Sequence, residues 1–192
     1  MNLKDEVAHS ASLAGAFEHQ REARGRPLSR REREPALLQL EQLVHDNAGA
    51  FCTAIDRDFR GRSHAETTML EVFPSLEGIR HARRHFAGWM RPRRVATNFW
   101  FLPGRSRILP QPLGVVGVVV PWNYPLYLAI GPITCALAAG NRVLVKMSEL
   151  APETGALLGQ LVAKHFDPSV LAIVNGGVET ARDFVALPFD HL

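Results

Sequence analysis

Cysteine is scarce in these 192 residues: Cys52 and Cys135 lie far apart, with no CxxC spacing. That argues against a disulfide framework and against a cysteine-built zinc site, so no metal is expected, and it fits a reducing cytoplasm. No apolar run reaches the roughly 18 residues that a membrane-spanning helix needs, so no membrane partner is expected. The opening Met1-Asn2-Leu3-Lys4-Asp5-Glu6 lacks the apolar stretch of a signal peptide. One-sided charge is missing as well. With 22 basic and 19 acidic residues the net charge is only +3, which favours solubility and selects no class of partner. The 46% hydrophobic content is ordinary for a globular protein and supplies a core for one domain or a little more.

What the sequence does contain, over its first half, is helical spacing. Leu3, Val7, Ala11, Ala14 and Phe17 recur as one face of a helix, as do Leu37, Leu40 and Val44, and then Phe51, Ile55 and Phe59. Ser29 suits the N-cap of the second of these helices, and Asp46 or Asn47 the start of the third. A fourth helix over about 64–90 puts Val72, Leu76, Ile79 and Phe86 on one face. Pro74 inside it predicts a bend or a break, because proline cannot donate to the helical ladder. Arg80, Arg83, Arg84, Arg91, Arg93 and Arg94, with Trp89 nearby, make a basic cluster of the kind nucleic acids select. The small overall charge and the helical spacing of Arg80, Arg84 and Arg91 favour a solvated face instead, and no nucleic-acid partner is expected.

The pattern changes near Trp89. Residues 1–98 read as a helical region and 99–112 as an extended or hairpin-like segment around Pro103-Gly104. Residues 113–192 read as an α/β unit. Val115 to Val120 is a nearly unbroken β-branched run, as in a strand buried on both faces of a parallel sheet. A helix is expected over about 125–139, then a strand at Arg142–Lys146 and a helix from Pro152 to His165. Val170–Val174 is a third strand, followed by Asn175-Gly176-Gly177 and a short helix. Alternation of this kind implies the first half of a doubly wound, Rossmann-like parallel sheet. Ligands of such sheets bind beyond the carboxyl ends of the strands, here 121–123, 146–149 and 175–177. The ordinary GxGxxG phosphate turn is absent, because Gly114 and Gly117 precede or lie within the first strand.

The segment PLGVVGVVVPWNYP, Pro112 to Pro125, resembles the aldehyde dehydrogenase superfamily. Ala139-Gly140-Asn141, Lys146-x-Ser148-Glu149 and Gly176-Gly177 follow in that family's order and spacing. Phe73-Pro74, Arg80-His81 and Trp89-Met90-Arg91-Pro92 resemble its shorter, class-3-like branch, and within it the coniferyl aldehyde dehydrogenases. The resemblance implies oxidation of an aldehyde, aromatic in that sub-family, with NAD as cofactor and NADP also open.

Residue by residue, the resemblance implies that Asn123 donates its side-chain amide to the oxyanion formed on attack by a cysteine thiolate. The alternative is a turn asparagine that satisfies local backbone. Lys146 and Glu149 would contact the adenosine ribose, where a carboxylate disfavours a 2′-phosphate; the alternative is a solvated lysine and a first-turn glutamate. Met147 replaces the family's usual proline and loosens that loop. Val119, Val120, Pro121 and Trp122 would line the cofactor cleft, although Trp122 also reads as a buried core aromatic. Gly176 and Gly177 would turn the chain near the pyrophosphate, or simply turn it. Neither cysteine matches the nucleophile motif, and both read as inert helical core residues.

The resemblance places the nucleophilic cysteine, the general-base glutamate and the glycine–serine phosphate loop beyond Leu192, and a strand begins at Phe189–Leu192. It also implies a homodimer or homotetramer paired through a hairpin like that around Phe99–Arg107. A truncated, non-catalytic relative that binds nucleotide or a partner is the competing expectation. An acylating or phosphate-reducing member of the superfamily is a third. Residues 1–192 alone are expected to be inactive and poorly soluble, with Trp100 and Phe101 uncovered.

Overall fold

The computed structural model describes the backbone of residues 3–192 and the side chains from Leu13 onward. Helix α1 runs over Leu3–Glu22. The expected face of Leu3, Val7 and Ala11 lies outside the described side chains. Within the rest, Leu13 and Phe17 are buried, whereas Ala14 is exposed. Helix α2, Arg30–Asp46, starts after Ser29, whose backbone N–H donates to the Glu32 carboxylate at 2.8 Å. That arrangement satisfies one of the four orphan donors at a helix start. Helix α3, Ala48–Phe59, follows with Asn47 at the capping position. The Asn47 side chain bonds back to the Leu43 carbonyl rather than forward into α3.

The long fourth helix is interrupted as Pro74 predicts. A short α4, His64–Thr67, runs into a π-helical turn, Thr68–Val72, and then into α5, Phe73–Trp89. Pro74 supplies no donor to the ladder, and the wider turn accommodates the missing bond. Val72, Leu76, Ile79 and Phe86 are buried along one face.

Extended structure begins earlier than expected, inside the segment read as helical. Strand β1, Arg93–Val95, pairs antiparallel with β2, Ser106–Ile108. The physical reason is Pro92, which stops α5 and biases its neighbour away from helix. Between the strands lies a 3₁₀ turn at Phe99–Phe101.

The parallel sheet follows the expected alternation: β3 (Val115–Val119), α6 (Pro125–Ala139), β4 (Arg142–Lys146), α7 (Pro152–His165), β5 (Leu171–Val174) and α8 (Val178–Val185). Strand order is β3-β4-β5, with Val119 opposite Lys146. Side chains alternate between two cores, the period-2 signature of a strand buried on both faces. Val116, Val118, Val143, Val145 and Leu171 point into the core shared with α2, α3, α5, α6 and α7. Val115, Leu144 and Val174 point to the other side, with Leu13 and Phe17 of α1 and Phe184 of α8. One core therefore spans the helical region and the sheet.

The chain then returns to the free side of β3. His191 bridges Val116 in parallel, and Gly117 N–H donates to the His191 carbonyl at 2.8 Å. β3 thus has β4 on one side and the 190–191 segment on the other. A strand whose two neighbours lead away in opposite directions is the switch point of a doubly wound sheet, where a crevice opens.

Candidate functional site

Three loops leave the carboxyl edge of the sheet side by side. Val120 N–H donates to the Lys146 carbonyl at 2.9 Å and Met147 N–H to the Val174 carbonyl at 3.0 Å, which locks the loops after β3, β4 and β5 in register. The candidate residues Val119 to Asn123, Lys146, Glu149, Gly176 and Gly177 all lie on these loops or the strand ends that carry them.

Val119 is half-exposed and Val120 is buried, as alternation at a strand end requires. Pro121 is exposed. Trp122 is 51% exposed, its ring 6.1 Å from that of Phe59, so the buried-core alternative does not hold. The strand ends before Trp122, and the indole lies beside Phe59 of α3 instead of entering the sheet. Asn123 is exposed, and its backbone carbonyl accepts from Arg62 Nη2 at 3.0 Å. Among the described residues no hydrogen bond engages its side-chain amide, which leaves two donors available, in contrast to a turn asparagine.

Lys146 is not the solvated lysine of the alternative reading: it is only 2% exposed. Its ammonium donates to the Met147 carbonyl at 2.7 Å and to Glu149 Oε2 at 3.3 Å. Glu149 itself is exposed, and its carboxyl is held below its ordinary value by its own backbone N–H and by Lys146. The site thus presents an ionised carboxylate outward above a buried cation. Met147 is fully buried and its N–H is bonded to β5, so this loop is pinned without a proline.

The two glycines differ. A Cβ on Gly176, where φ is 155°, would collide with the Thr180 side chain. Gly177 begins α8 with φ −82°, a value any residue adopts, so nothing in its conformation requires glycine.

Cys52 is buried, as expected, but Cys135 is exposed, contrary to its reading as a core thiol. The flank of α6 that carries it faces a groove lined by Phe86, Trp89 and Met90. Counting from Pro125, Cys135 lies about 15 Å along the helix from the cleft at a rise of 1.5 Å per residue, which keeps it from reacting there. Two of the six arginines of the basic cluster, Arg80 and Arg83, are paired to Glu41, Arg80 Nε at 2.8 Å.

Sequence reading missed three residues that build the cleft. Asp58, at the end of α3, accepts from Glu153 N–H and Thr154 N–H, both at 2.9 Å, and so caps α7. Glu71, fully buried in the π turn, accepts from Leu126 N–H at 2.8 Å and Tyr127 N–H at 3.3 Å, and so caps α6. Arg62 joins Glu71 to the Asn123 loop. In an ordinary dinucleotide fold the helix start after the first strand receives the cofactor phosphates. Here the Glu71 carboxylate occupies that start, consistent with the missing GxGxxG. The available signal was a glutamate three residues before a mid-helix proline.

Among the described residues no helix is long and apolar enough to cross a membrane. Comparison with known proteins agrees with the geometry. A probable coniferyl aldehyde dehydrogenase of Pseudomonas aeruginosa is 51% identical over 156 residues, covering 81% of this chain and 33% of that protein. The Staphylococcus aureus AldH structure in its substrate-bound state superposes with a TM-score of 0.80 at 25% identity, covering 98% of this chain and 40% of that one. An aldehyde dehydrogenase C mutant from Pseudomonas syringae, complexed with NAD+ and octanal, superposes with a TM-score of 0.78 at 26% identity, covering 95% of this chain and 36% of that one. The chain therefore spans roughly a third of the length of such relatives. The model of the aldehyde dehydrogenase family matches residues 4–188, and the chain belongs to that family.

Proposed function

We propose that the protein carrying this chain oxidises an aldehyde to its carboxylic acid with NAD+, NADP+ being the less favoured acceptor. The observation that carries this reading is Asn123, an exposed asparagine at the carboxyl end of the switch-point strand. Its backbone is fastened by Arg62 while its side-chain amide has no partner among the described residues. A neutral amide with two N–H donors suits negative charge developing on the oxygen of an aldehyde under nucleophilic attack. One such donor is worth about 2.7–4 kcal/mol in the transition state. Neither Cys52 nor Cys135 lies at the cleft, and the family resemblance assigns the nucleophile to sequence beyond Leu192.

The residues present fit a dinucleotide. Glu149 offers an ionised carboxylate that accepts from ribose hydroxyls and repels a 2′-phosphate. Lys146 orients it from below. Gly176 keeps the chain after β5 close to its own helix, leaving the edge of the crevice open. Bound there, NAD+ would accept the hydride from the attacked carbon. An aromatic aldehyde is our assignment for the substrate, supported by the name of the Pseudomonas aeruginosa relative. Pairing into a homodimer or homotetramer through the β1–β2 hairpin is supported by the exposure of Phe99, Trp100 and Phe101 beside it.

Two substitutions test the reading. Asn123→Ala should lower kcat by about 10²–10³ with little change in KM for aldehyde. A loss confined to KM would show that Asn123 only binds substrate. Glu149→Gln should weaken NAD+ binding and relax discrimination against NADP+, both read by titration. Unchanged affinity for the two cofactors would place Glu149 away from the ribose.

A further inference from the structure

We infer that Arg62 is a positioning residue for Asn123, and that buried Glu71 sets the angle of its guanidinium; this rests on the reading of Asn123 as an oxyanion donor. The loop that carries Asn123 cannot be held by burial, because Pro121, Trp122 and Asn123 are all exposed. The asparagine side chain has no bond of its own among the described residues, so its aim is whatever its backbone imposes. That backbone is fixed at three points. Val120 N–H is tied to β4 before the loop, and Leu126 and Tyr127 N–H are tied to Glu71 after it. Between them the one bond on Asn123 itself among the described residues is from Arg62 Nη2 to its carbonyl, 3.0 Å.

The same guanidinium donates through Nη1 to Glu71 Oε1 at 3.0 Å. Two donors of one rigid planar fork therefore reach Glu71 and the Asn123 carbonyl, and the position of one determines the position of the other. The fork is itself confined. Its central carbon lies 3.7 Å from the Phe59 ring centroid and 5.1 Å from that of Tyr124, and the Arg62 side chain is only 13% exposed. Glu71 is wholly buried and bonded on both oxygens. The π turn, an irregularity that often marks functional positions, is the element that carries this carboxylate. Holding the carbonyl orients the Asn123–Tyr124 peptide plane, and with it the direction from which the Asn123 side chain projects. An oxyanion donor has to be held to about 0.5 Å, which a free loop does not achieve.

A double-mutant cycle on the complete protein that carries this chain separates positioning from general support. Four proteins are compared: wild type, Arg62→Met, Asn123→Ala and the double variant. The readout is the first-turnover rate of NADH formation at saturating aldehyde and NAD+, with KM for NAD+ measured alongside. Arg62→Met should slow wild type by about 10- to 100-fold, the scale of an ångström misplacement. In the Asn123→Ala background the same change should cost less than about twofold, because coupled sites are non-additive. KM for NAD+ should stay within about twofold, as for any loss confined to the transition state. Equal losses in both backgrounds, or no loss in either, would overturn the positioning role while leaving Asn123 as oxyanion donor. An Asn123→Ala rate equal to wild type would overturn the oxyanion reading and the positioning role with it. If Arg62→Met does not fold, Glu71→Gln runs the same cycle. It keeps one acceptor oxygen for the start of α6 and replaces the other, which Arg62 Nη1 reaches, so the same non-additivity is expected and additivity again refutes it.

Discussion

Three carboxylates of the helical region, Glu41, Asp58 and Glu71, reach across to other elements, and their surroundings give them different roles. Glu41 lies between Arg80 and Arg83 on α5 with only 14% of its side chain exposed. Burial alone would raise its carboxyl, but hydrogen bonds and charge from Arg80 and Arg83 win and hold it below the ordinary value. A depressed carboxyl contributes stability above its unfolded value and loses it as pH falls through the folded one. Glu41→Gln should therefore cost about 1–2 kcal/mol near pH 7, less than a fully buried pair because Arg80 and Arg83 are partly solvated. The deficit should shrink toward zero as the medium is acidified below the usual glutamate range. Urea melts of both proteins across pH check this, and a deficit independent of pH would mean packing, not charge, was lost. Glu71 runs the other way: burial outweighs its backbone bonds and Arg62, and its carboxyl is raised. Its bonds hold the cleft at an electrostatic cost to the fold, because a raised acid favours unfolding as pH climbs through its folded value.

Among the elements, β3 is the one whose middle must stay narrow. A Cβ at Gly117 would meet Leu192 Cδ1 at 2.7 Å and Phe189 ring carbons at 2.8 Å. These atoms belong to the segment that completes the switch point. Gly117→Ala should push that segment off β3 and cost about 1–3 kcal/mol, the range for overpacking. Amide exchange supplies the measurement. Gly117 N–H, bonded to the His191 carbonyl, should lose protection, while Val116 and Val118, bonded within β3–β4, should keep theirs. Equal loss across the strand would indicate global destabilisation only. At α6 the constraint is at the end: Gly140 has φ 89°, and a Cβ there would run into the Arg33 guanidinium. Arg33 donates to the Ala138 carbonyl at 3.1 Å and to the Leu28 carbonyl at 2.7 Å, joining the last turn of α6 to the start of α2.

For the molecule as a whole, polar and apolar surfaces are unevenly shared. Phe99, Trp100, Phe101 and Leu102 are exposed in succession, at 75%, 84%, 72% and 58%. Beside them Val95 and Ile108 of the hairpin are also exposed. Contiguous apolar surface of this kind seeks a partner or aggregates. The 192-residue chain on its own should self-associate and bind a hydrophobic dye, and Trp100→Ser with Phe101→Ser should reduce both. Sedimentation velocity at several concentrations is the check. A monodisperse monomer before substitution would show that these aromatics do not drive association.

The alternation of strand and helix, the two-faced burial of β3 and β4 and the main cleft segment were legible in the sequence, because they depend on local periodicity and short motifs. Val115–Val119 and Arg142–Lys146 announce themselves by an apolar run, and Pro152 by its place in a first helical turn. Pro121–Asn123 resembles the family's segment residue by residue, and such a match is read from local order alone. Long-range pairing decided the rest. Exposure of Cys135 and Trp122, burial of Lys146 and the extended residues after Pro92 follow from which neighbour each segment meets. Arg62 and Glu71 are 9 residues apart, but Asn123 lies 61 residues from Arg62 and Leu126 lies 55 from Glu71, and no periodicity relates them. Only when α3, the π turn and α6 pack together does the fork of Arg62 reach the Asn123 carbonyl. Side-chain geometry of that kind is set by close packing in three dimensions, where the order of residues along the chain carries no record of it.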